Sequence, residues 1–376
     1  MIFIDATNIG GGGGVTHLME LIGAGQLPCP VTIIAQKKVL VQIPDCKQLT
    51  KINHPLLEKT LLHRVFFQVF VMDRLIPAGA VVFAVSGDYL GRHQPVISMS
   101  QNMLLYERDI WKEIKSIREV ARFFINFHKQ KRSFKNSSGV IFLSGYAREY
   151  ISARLNLKGK QVTVIHHGVS PRFFGEVREQ RPISSYSHAS PFRFTYVSTV
   201  HVYKNQWNVV EAMGALRKQG YPVELHLVGG VIFKPAGDKL QHMIRTVDPN
   251  QEFIHFHGDI PYNEVDKVYE SSDGIIFAST CENMPNILLE SMASGIPVAC
   301  SNKAPMPEFL KEHGFYFDAH DVGSIVSTLS EMLDSPETRA LHAMNARQEA
   351  SAYTWQDTSN QTFNFLLEHL PLKLKS

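Results

Sequence analysis

Two glutamates with seven residues between them, Glu282 and Glu290, lie in the stretch of this chain that has the clearest chemical signal. The stretch is DGIIFASTCENMPNILLESMASGIPVACS (Asp273–Ser301), and its pattern predicts a buried strand, a loop, a helix that ends at Gly295, and a second strand. Glu282 falls in the loop and Glu290 falls about two turns into the helix. Because the first N–H groups of a helix lack internal partners, the backbone around residues 283–287 can bind an anion such as a phosphate.

The two carboxylates can hold hydroxyl groups beside such an anion. Glu290 can accept hydrogen bonds from two vicinal hydroxyls, as a ribose presents them, and Glu282 can hold sugar hydroxyls beyond the phosphates. Pro285 has no N–H, so its neighbours must supply the donors. The alternative is that Glu282 only complements the positive end of the helix dipole and that Glu290 is an exposed helix charge.

A run of five glycines, Gly10–Gly14, is a second candidate for phosphate contact. It follows the first predicted strand and precedes a predicted helix, and glycines let a backbone approach a phosphate closely. The dinucleotide fingerprint GxGxxG fails, because Val15 and Thr16 stand where it needs its last glycine. The second strand, VTIIAQKK, also ends without an acidic residue, so a nicotinamide cofactor is disfavoured. A tight turn or a flexible loop is the alternative for the run.

Parallel sheets must position these loops, because short apolar runs alternate with helical patterns through both halves of the chain. In the first half the predicted strands are Ile2–Ala6, Val31–Ala35, Val81–Val85, Val96–Met99, Gly139–Leu143 and Gln161–Ile165. In the second half they are Phe192–Ser198, Val223–Val228, Phe253–His257, Gly274–Ala278, Pro297–Cys300 and Gly314–Phe317. Two such sets predict two doubly wound α/β domains, with ligands at the carboxyl ends of the strands. The segment GEVREQRPISSYSHASP (Gly175–Pro191) lacks either periodicity and predicts the domain boundary.

Composition excludes several classes of protein. The chain has 376 residues, 44% hydrophobic and 19% charged, so disorder is not its dominant state. Four cysteines without a CxxC pair argue against a disulfide scaffold and a zinc ribbon. No apolar run approaches the length that spans a bilayer, and the N-terminal residues lack the basic region of a signal peptide. We therefore expect a soluble, multi-domain protein in a reducing, cytoplasmic compartment.

The net charge of +3 conceals a division between the two halves. Residues 1–185 carry 24 Lys and Arg against 13 Asp and Glu, and residues 186–376 carry 14 against 22. A basic half can face nucleic acid, an anionic membrane or a phosphorylated substrate, and charge alone does not choose among these partners.

The stretch ENMPNILLESMASGIPVA resembles the donor-site segment of the family 4 retaining glycosyltransferases of GT-B fold, also described as glycosyl transferases group 1. Three further stretches resemble segments of this family and occur in the same order along the chain. They are VIHHGVSPRFF (Val164–Phe174), YVSTVHVYKNQWNVVEAM (Tyr196–Met213) and SAYTWQDTSNQTFNFLLEHL (Ser351–Leu370). The glycine run matches the family's N-terminal glycine loop. The resemblance implies an α/β fold class with two Rossmann-like doubly wound domains that face each other across a cleft.

The resemblance also implies roles for individual residues. Lys204 would pair with the diphosphate of the donor, Glu290 would hold the nucleotide ribose, and Glu282 would hold the transferred sugar. Main-chain amides would neutralise the leaving phosphate, and the glycine loop would close over it. The candidate catalytic residues are Glu282, Lys204 and Asn102. The candidate donor-binding residues are Gly12, Gly13, Lys204, Asn283, Met284, Pro285, Asn286, Ile287 and Glu290.

Two departures from the family pattern stand out. Thr199 occupies a position where relatives often have an arginine, so the diphosphate would have one fewer cation. His167 and Gly168 replace the usual Asn-Gly pair, which leaves the conformational role to Gly168 and the roles of His166 and His167 open. The chain has no Asp-x-Asp motif, so we expect a donor site without a metal ion and without a cofactor.

The acceptor side is less defined. Gln101 and Asn102 follow a predicted strand where relatives often have His-Asn, which leaves the identity of any catalytic base open.

Arg108–Lys135 has nine basic and three acidic residues and a helical apolar stripe, most simply packed against the sheet. The stripe consists of Trp111, Ile114, Ile117, Val120, Ala121, Phe124 and Ile125. Its basic face, together with the aromatic helix Leu61–Ile76, is the candidate for contact with anionic lipid. Nothing beyond charge supports binding of nucleic acid.

The predicted organisation is an acceptor-binding domain over residues 1–175, a linker over 176–191, a nucleotide-sugar-binding domain over 192–355, and a C-terminal helix over 356–376 that crosses back to the first domain. The predicted function is retaining transfer of a hexosyl group from a nucleoside diphosphate sugar to a glycan or lipid-linked glycan acceptor, in bacterial surface polysaccharide or lipopolysaccharide biosynthesis. The expected location is the cytoplasm, with peripheral contact at the inner face of the plasma membrane. A sugar-nucleotide 2-epimerase and a non-catalytic assembly partner of the same fold remain as alternatives.

Overall fold

The computed structural model describes residues 1–114 and 116–370, which divide into two compact units. The first unit contains Met1–Trp111, residues 116–168, and the segment that begins at Tyr353, whereas Lys112–Ile114 belong to the second unit. The second unit contains Val169–Ala352.

A seven-stranded parallel sheet forms the centre of the first unit, with the order β3-β2-β1-β4-β5-β6-β7. Its strands are β1 (Ile2–Asp5), β2 (Val31–Ile34), β3 (Leu49–Ile52), β4 (Val81–Ala84), β5 (Val96–Met99), β6 (Gly139–Phe142) and β7 (Gln161–Val164). Its helices are α1 (Gly13–Gly23), α2 (Lys37–Leu40), α3 (Leu61–Phe70), α4 (Arg108–Glu113), α5 (Ile117–Asn136), α6 (Gly145–Leu155) and the C-terminal helix α14 (Trp355–Glu368). The order reverses at β1, so the loops after β1 and β4 lie at the point where such sheets bind ligands.

Sequence periodicity predicted six of these seven strands and missed β3. The residues of β3, Leu49–Ile52, are half-buried or exposed, whereas β1 and β2 are buried throughout. An edge strand that contacts the core on one side only needs no apolar run, so its sequence carries little strand signal.

Helices α3 and α5 cover the same face of this sheet. Phe67 of α3 packs in a cluster with Phe3 and Ala84, and Ala84 pairs with Ser98 of the neighbouring strand. Ser98 Oγ lies 2.8 Å from Ser133 Oγ of α5, so both helices contact side chains of one face.

The prediction of one helix over Arg108–Lys135 with its apolar stripe against the sheet was wrong. The structure has two helices, and Ser116 caps the second. In α5, Ile117, Phe124 and Ile125 are 92%, 56% and 59% exposed. The buried side of α5 instead contains Phe123, Gln130, Ser133 and Phe134. Hydrogen bonds from this side to buried polar groups of the first unit compensate the burial of its two polar side chains.

The second unit contains a six-stranded parallel sheet with the order β10-β9-β8-β11-β12-β13. Its strands are β8 (Phe192–Val197), β9 (Val223–Val228), β10 (Ile254–Gly258), β11 (Gly274–Phe277), β12 (Val298–Ser301) and β13 (Phe315–Phe317). Its helices are α7 (Gln206–Lys218), α8 (Lys234–Val247), α9 (Val265–Glu270), α10 (Asn286–Ala293), α11 (Met306–Leu310), α12 (Val322–Asp334) and α13 (Pro336–Ala350). All six strands lie where the sequence predicted them, and the order reverses at β8.

Residues 176–191, the predicted linker, lie within the second compact unit, which includes Val169–Ala352. Within it, Tyr186 donates a hydrogen bond to Asp273 Oδ1 at 3.2 Å. The predicted C-terminal helix corresponds to α14, which packs against α1 through a hydrogen bond from Ser359 Oγ to the carbonyl of Leu21. Residues 371–376 of that prediction lie outside the described residues.

Across residues 1–114 and 116–370, none of the helices combines the length and the apolar character that crossing a bilayer requires.

Candidate active site

The strongest candidate site in the second unit lies where the loops after two neighbouring strands meet. Lys204 ends a 3-10 turn (Val202–Lys204) that follows β8, and Glu282 lies in the loop that follows β11. Because β8 and β11 pair in parallel, their carboxyl ends share one edge of the sheet. Lys204 Nζ lies 2.5 Å from Glu282 Oε1.

Backbone hydrogen bonds fix these two loops against each other. The N–H of Thr280 donates to the carbonyl of Tyr203 at 2.8 Å, and the side-chain amide of Asn205 donates to the carbonyl of Ala278 at 3.0 Å. Asn205 has φ of 53°, a left-handed conformation that asparagine tolerates better than most residues, and it precedes α7. These contacts fix the main chain around Lys204 beside the loop that contains Glu282.

The ion pair is largely removed from solvent. The side chains of Lys204 and Glu282 are 6% and 17% exposed, and the hydroxyl of Ser279 donates to Glu282 Oε1 at 2.6 Å. The ammonium group also lies 5.1 Å from the ring of Tyr203 and 5.4 Å from that of Phe277, within range of cation–π attraction. A buried cation that has one carboxylate partner can bind a competing anion with little further desolvation of its own.

Glu290 of α10 is buried, which excludes the alternative of an exposed helix charge. It is 7% exposed, and the phenol of Tyr262 donates to Glu290 Oε1 at 2.8 Å. Burial raises the pKa of Glu290 to about 7, against the opposing effects of the Tyr262 hydrogen bond and the positive charge of Arg172. The guanidinium of Arg172 lies 4.1 Å from the centroid of the Tyr262 ring, so these three side chains form one cluster.

The start of α10 lies between the two glutamates. Pro285 occupies the position before the helix, and Asn286 begins it. The amide of Asn286, one of the predicted phosphate donors, already donates to the carbonyl of Met284 at 3.1 Å. The amides of Ile287 and Leu288 follow in the first turn, where a helix has no internal acceptors. Asn283 and Met284, also predicted to bind the donor, are buried beside this turn.

In the first unit, the glycine run forms the surface loop between β1 and α1. Gly12 has φ of 62° and occupies the cap position of α1, which begins at Gly13. A positive φ at this position favours glycine. A Cβ added to Gly11, Gly12 or Gly13 would meet no atom within 4 Å, so open space surrounds the loop within its own unit.

Asn102 lies in the first unit, after β5, and its side-chain oxygen caps the 3-10 turn Met103–Leu105. Asn102 Oδ1 accepts a hydrogen bond from the N–H of Leu104 at 3.0 Å. The neighbouring Gln101 donates from Nε2 to Met99 Sδ at 3.4 Å. A carboxamide does not take up a proton near neutral pH, so the catalytic role predicted for Asn102 can only be one of orientation.

An acidic network at the carboxyl edge of the first sheet was not predicted from the sequence. Asp88, after β4, pairs with Lys129 Nζ at 2.9 Å and accepts a hydrogen bond from Asn8 at 2.6 Å. Asp5, at the end of β1, is fully buried, and burial raises its pKa to about 6. Two residues beside Glu290, Arg172 and Tyr262, were also not predicted from the sequence. Arg172 lies in a stretch that resembles the family, but no pattern pointed to Tyr262.

The residues around Gly168 explain why glycine stands there. A Cβ on Gly168 would lie 2.1 Å from the backbone nitrogen of Trp355, so close approach rather than a positive φ requires glycine. His167 stacks on the Trp355 ring at 5.3 Å, and its ring lies 4.6 Å from that of His17 at an angle of 32°. These imidazoles are buried in the first unit, which favours a structural role for His167.

Comparison with known proteins shows which family the second half of the chain resembles. Residues 178–349 match the family model "Glycosyl transferases group 1". The chain is similar to O-antigen chain mannosyltransferase B of Escherichia coli, with 26% identity over 45% of this chain and 44% of the relative. It is similar to MMP alpha-(1->4)-mannosyltransferase of Mycolicibacterium hassiacum, with 24% identity over 65% of this chain and 57% of the relative. Each match thus spans less than two thirds of the relative.

Two solved structures share the fold of the whole chain. Anabaena HepE in complex with UDP and glucose superimposes with a TM-score of 0.68 at 16% identity, over 97% of this chain and 99% of HepE. WaaG, described as a glycosyltransferase involved in lipopolysaccharide biosynthesis, superimposes with a TM-score of 0.70 at 14% identity, over 97% and 99%.

These findings confirm the predicted α/β fold class of GT-B type and the resemblance to glycosyl transferases group 1. Membership of family 4, retention, and the assignment of individual residues stay predictions. So do the domain boundaries and the expectation of a donor site without a metal ion.

Proposed function

We propose that this chain, whose residues 178–349 match glycosyl transferases group 1, transfers a hexosyl group with retention from a nucleoside diphosphate sugar to a glycan or lipid-linked glycan. The observation that carries the proposal is the buried Lys204–Glu282 pair at the carboxyl edge of the second sheet, beside the start of α10. HepE, which shares the fold, is described in complex with UDP, and this supports a nucleoside diphosphate as the leaving group.

The chemistry follows from where negative charge grows. As the bond between the sugar and the diphosphate breaks, the leaving phosphate gains charge, and fixed donors aimed at it lower the barrier by about 3 kcal/mol each. Lys204 and the amides of Ile287 and Leu288 are such donors, held by backbone structure. Glu282, once displaced from Lys204, accepts hydrogen bonds from hydroxyls of the transferred sugar, and Glu290 accepts them from the ribose. With retention and no enzyme nucleophile assigned, the leaving phosphate itself assists deprotonation of the acceptor.

The acceptor side of the proposal rests on the first unit. Asp88 is held by Lys129, Asn8 and Ser86 at the carboxyl edge of its sheet, and a carboxylate in this position can bind hydroxyls of a glycan. One relative is named an O-antigen chain mannosyltransferase, and WaaG is described as involved in lipopolysaccharide biosynthesis, which supports a surface-glycan acceptor.

Calorimetric titration of the full chain with UDP, GDP, ADP and NAD, without added metal ion, tests the donor site. We expect one of the three diphosphates to bind in preference to the others and NAD not to bind. The Lys204→Met variant should lose this affinity, whereas Lys234→Met, which removes a cation from an exposed ion pair, should keep it. Failure of all three diphosphates to bind would refute the proposal, and donor isomerisation without an acceptor would indicate the epimerase.

One form of the proposed acceptor, a lipid-linked glycan, lies at a membrane, and the surface of α3 and α5 suits contact with an anionic membrane. The exposed apolar side chains on these helices are Leu61, Leu62, Phe66, Phe70, Ile117, Phe124 and Ile125. The basic residues Arg118, Arg122 and Arg132 are exposed on α5 among them. Apolar side chains that enter the interface and cations that attract anionic headgroups are the two contributions on which interfacial helices depend.

Co-sedimentation with vesicles tests this contact. We expect the chain to bind vesicles that contain phosphatidylglycerol and to bind pure phosphatidylcholine weakly. The double substitution Phe124→Ser and Ile125→Ser should reduce binding. The matched control replaces Leu341 and Met344, two exposed apolar residues of α13 in the second unit, and should not. Equal binding by both double variants would refute a membrane surface on α5.

A further inference from the structure

A second cluster of side chains, on the paired strands β9 and β10, has the composition of a metal site. Strand alternation places Glu224 and His226 on one face of β9, and His226 pairs directly with His255 of β10. His226 Nε2 lies 3.1 Å from Glu224 Oε1, and His255 Nε2 lies 3.7 Å from Glu224 Oε2. One ligand atom from each of the three residues lies within 4.8 Å of the other two.

We propose that Glu224, His226 and His255 bind a divalent transition-metal ion. Two imidazoles and one carboxylate suit Zn²⁺, Co²⁺, Ni²⁺ or Cu²⁺ rather than Mg²⁺ or Ca²⁺, which prefer oxygen ligands. Around an ion bound at about 2.0–2.2 Å, neighbouring tetrahedral ligand atoms lie about 3.4 Å apart. The two distances between a histidine and the carboxylate, 3.1 and 3.7 Å, lie on either side of this value. All three ligand atoms lie within 4.8 Å of one another, so side-chain rotation can bring them around one ion.

The state of His226 is the observation that points to a ligand. Its Nε2 atom is buried and, within the described residues, forms no hydrogen bond, although a carboxylate oxygen lies 3.1 Å away in unfavourable geometry. Its other ring nitrogen, Nδ1, lies 2.9 Å from His257 Nε2. A metal-bound imidazole commonly donates its second N–H to a neighbouring acceptor, which fixes the orientation of the ring. His257 is placed to be that acceptor, as a positioning residue.

The solvent exposure of the three ligands and the positive charge of Arg193 also affect metal binding. The side chains of His226, Glu224 and His255 are 16%, 13% and 33% exposed, so an ion can enter and water can complete its coordination. Arg193 Nε donates to Glu224 Oε1 at 2.7 Å and leaves Oε2 directed toward His255. Because the guanidinium is positive, it opposes the ion, and its removal should strengthen binding.

The site joins the edge strand β10 to its neighbour, and it does not depend on the proposed glycosyl transfer. An ion that binds the folded chain and not the unfolded one raises the midpoint of thermal unfolding. We therefore expect Zn²⁺ to stabilise the chain whether or not a nucleotide is bound.

Calorimetry with ZnCl₂ and visible absorption with CoCl₂, both on the full chain, test the proposal. We expect one ion per chain, with loss of affinity by more than about tenfold in His226→Ala, His255→Ala and Glu224→Gln. Arg193→Gln should bind several-fold more tightly, and His257→Ala should bind more weakly with an altered cobalt spectrum. His242→Ala, which removes an exposed histidine of α8, is the matched control and should bind as the wild type does.

Three results would overturn the proposal: absence of binding, wild-type affinity in His226→Ala, or a cobalt–thiolate band that places the ion on a cysteine. Circular dichroism of each metal-free variant shows whether it folds. If His226→Ala does not fold, the near-isosteric Glu224→Gln decides, because it keeps the shape of the site and removes a charged ligand.

Discussion

A free nucleoside diphosphate should bind the Glu282→Gln variant more tightly than it binds the wild-type chain. Without a ligand, Lys204 already has an anionic partner, since its Nζ atom lies 2.5 Å from Glu282 Oε1 and both side chains are largely buried. If Lys204 binds the diphosphate, as proposed, the ligand must displace this carboxylate and remain close to its negative charge. Glutamine removes the charge and keeps the shape of the side chain.

The size of the effect follows from the pair. Two unit charges about 3 Å apart attract each other by about 5 kcal/mol at an effective dielectric constant of about 20. Desolvation offsets most of this, so that a hydrogen bond to a charged group stabilises by about 1.5–3 kcal/mol net. In the wild type, part of this stabilisation is lost when the diphosphate binds Lys204 in place of Glu282. The Glu282→Gln variant avoids that loss, so its binding free energy should be more favourable by about 1–2 kcal/mol, which corresponds to an affinity about five- to thirtyfold higher.

Titration calorimetry with UDP, or with whichever diphosphate the wild type prefers, measures this difference. Lys204→Met should weaken binding about ten- to hundredfold, and the double variant of Lys204 and Glu282 should bind like Lys204→Met or slightly better. Asp238→Asn disrupts the ion pair of Lys234 and Asp238, whose side chains are 84% and 65% exposed, and should leave the affinity unchanged. Equal or weaker binding by a folded Glu282→Gln variant would refute competition for Lys204.

Three further predictions concern stability. Because burial raises the pKa of Glu290 from 4.5 to about 7, its ionisation should remove on the order of 3 kcal/mol of folding free energy as the pH rises through that range. Glu290→Gln should lack this loss in urea unfolding at pH 5 and pH 8. Burial lowers the pKa of His17 well below its ordinary value of 6.5, so stability should fall as the pH decreases below that value, and His17→Phe should flatten this dependence of the unfolding midpoint. Gly168→Ala should destabilise by about 1–3 kcal/mol because its Cβ would meet the backbone of Trp355, whereas Gly11→Ala, in open space, should change stability by less than about 1 kcal/mol.

Each of these has a clear contrary result. A Glu290→Gln variant with the same pH dependence as the wild type would mean that Glu290 ionises without cost. A His17→Phe variant that loses stability equally at all pH values would show that packing, not proton uptake, determines the role of His17. Equal unfolding midpoints for the two alanine variants would show that the backbone around Gly168 can shift.

Strand positions were largely predictable because most strands of both sheets are buried on two faces. Such strands read as continuous runs of Val, Ile and Phe, and turn residues bound them. The edge strand β3 was not predicted, because a half-buried strand does not require a continuous apolar run. The apolar stripe of Arg108–Lys135 gave a wrong prediction of the buried face of α5 for a related reason. Apolar spacing predicts that a helix has two faces, but Gln130 and Ser133 occupy the buried face because buried partners satisfy them.

The candidate site of the second unit was predictable in part. Glu282 and Glu290 lie in one strand–loop–helix segment, which keeps their spacing in any fold of that kind, and Lys204 lies in a second segment of the same type. Tyr262 comes from a different loop, and only packing brings it to Glu290. The same holds for the metal-ligand cluster, although the pairs Glu-x-His and His-x-His were visible in two strand-forming segments.

Local order along the chain thus follows from sequence alone: hydrophobic runs, glycine positions and helix starts depend on interactions between near neighbours. Strand pairing and helix packing do not follow from the sequence in this way. Strand pairing set which histidine faces Glu224, and helix packing set which side of α5 became solvent-exposed. Burial in the folded chain raises the pKa of Glu290 to about 7. These outcomes depend on contacts between segments far apart in sequence, whose energies no local pattern contains.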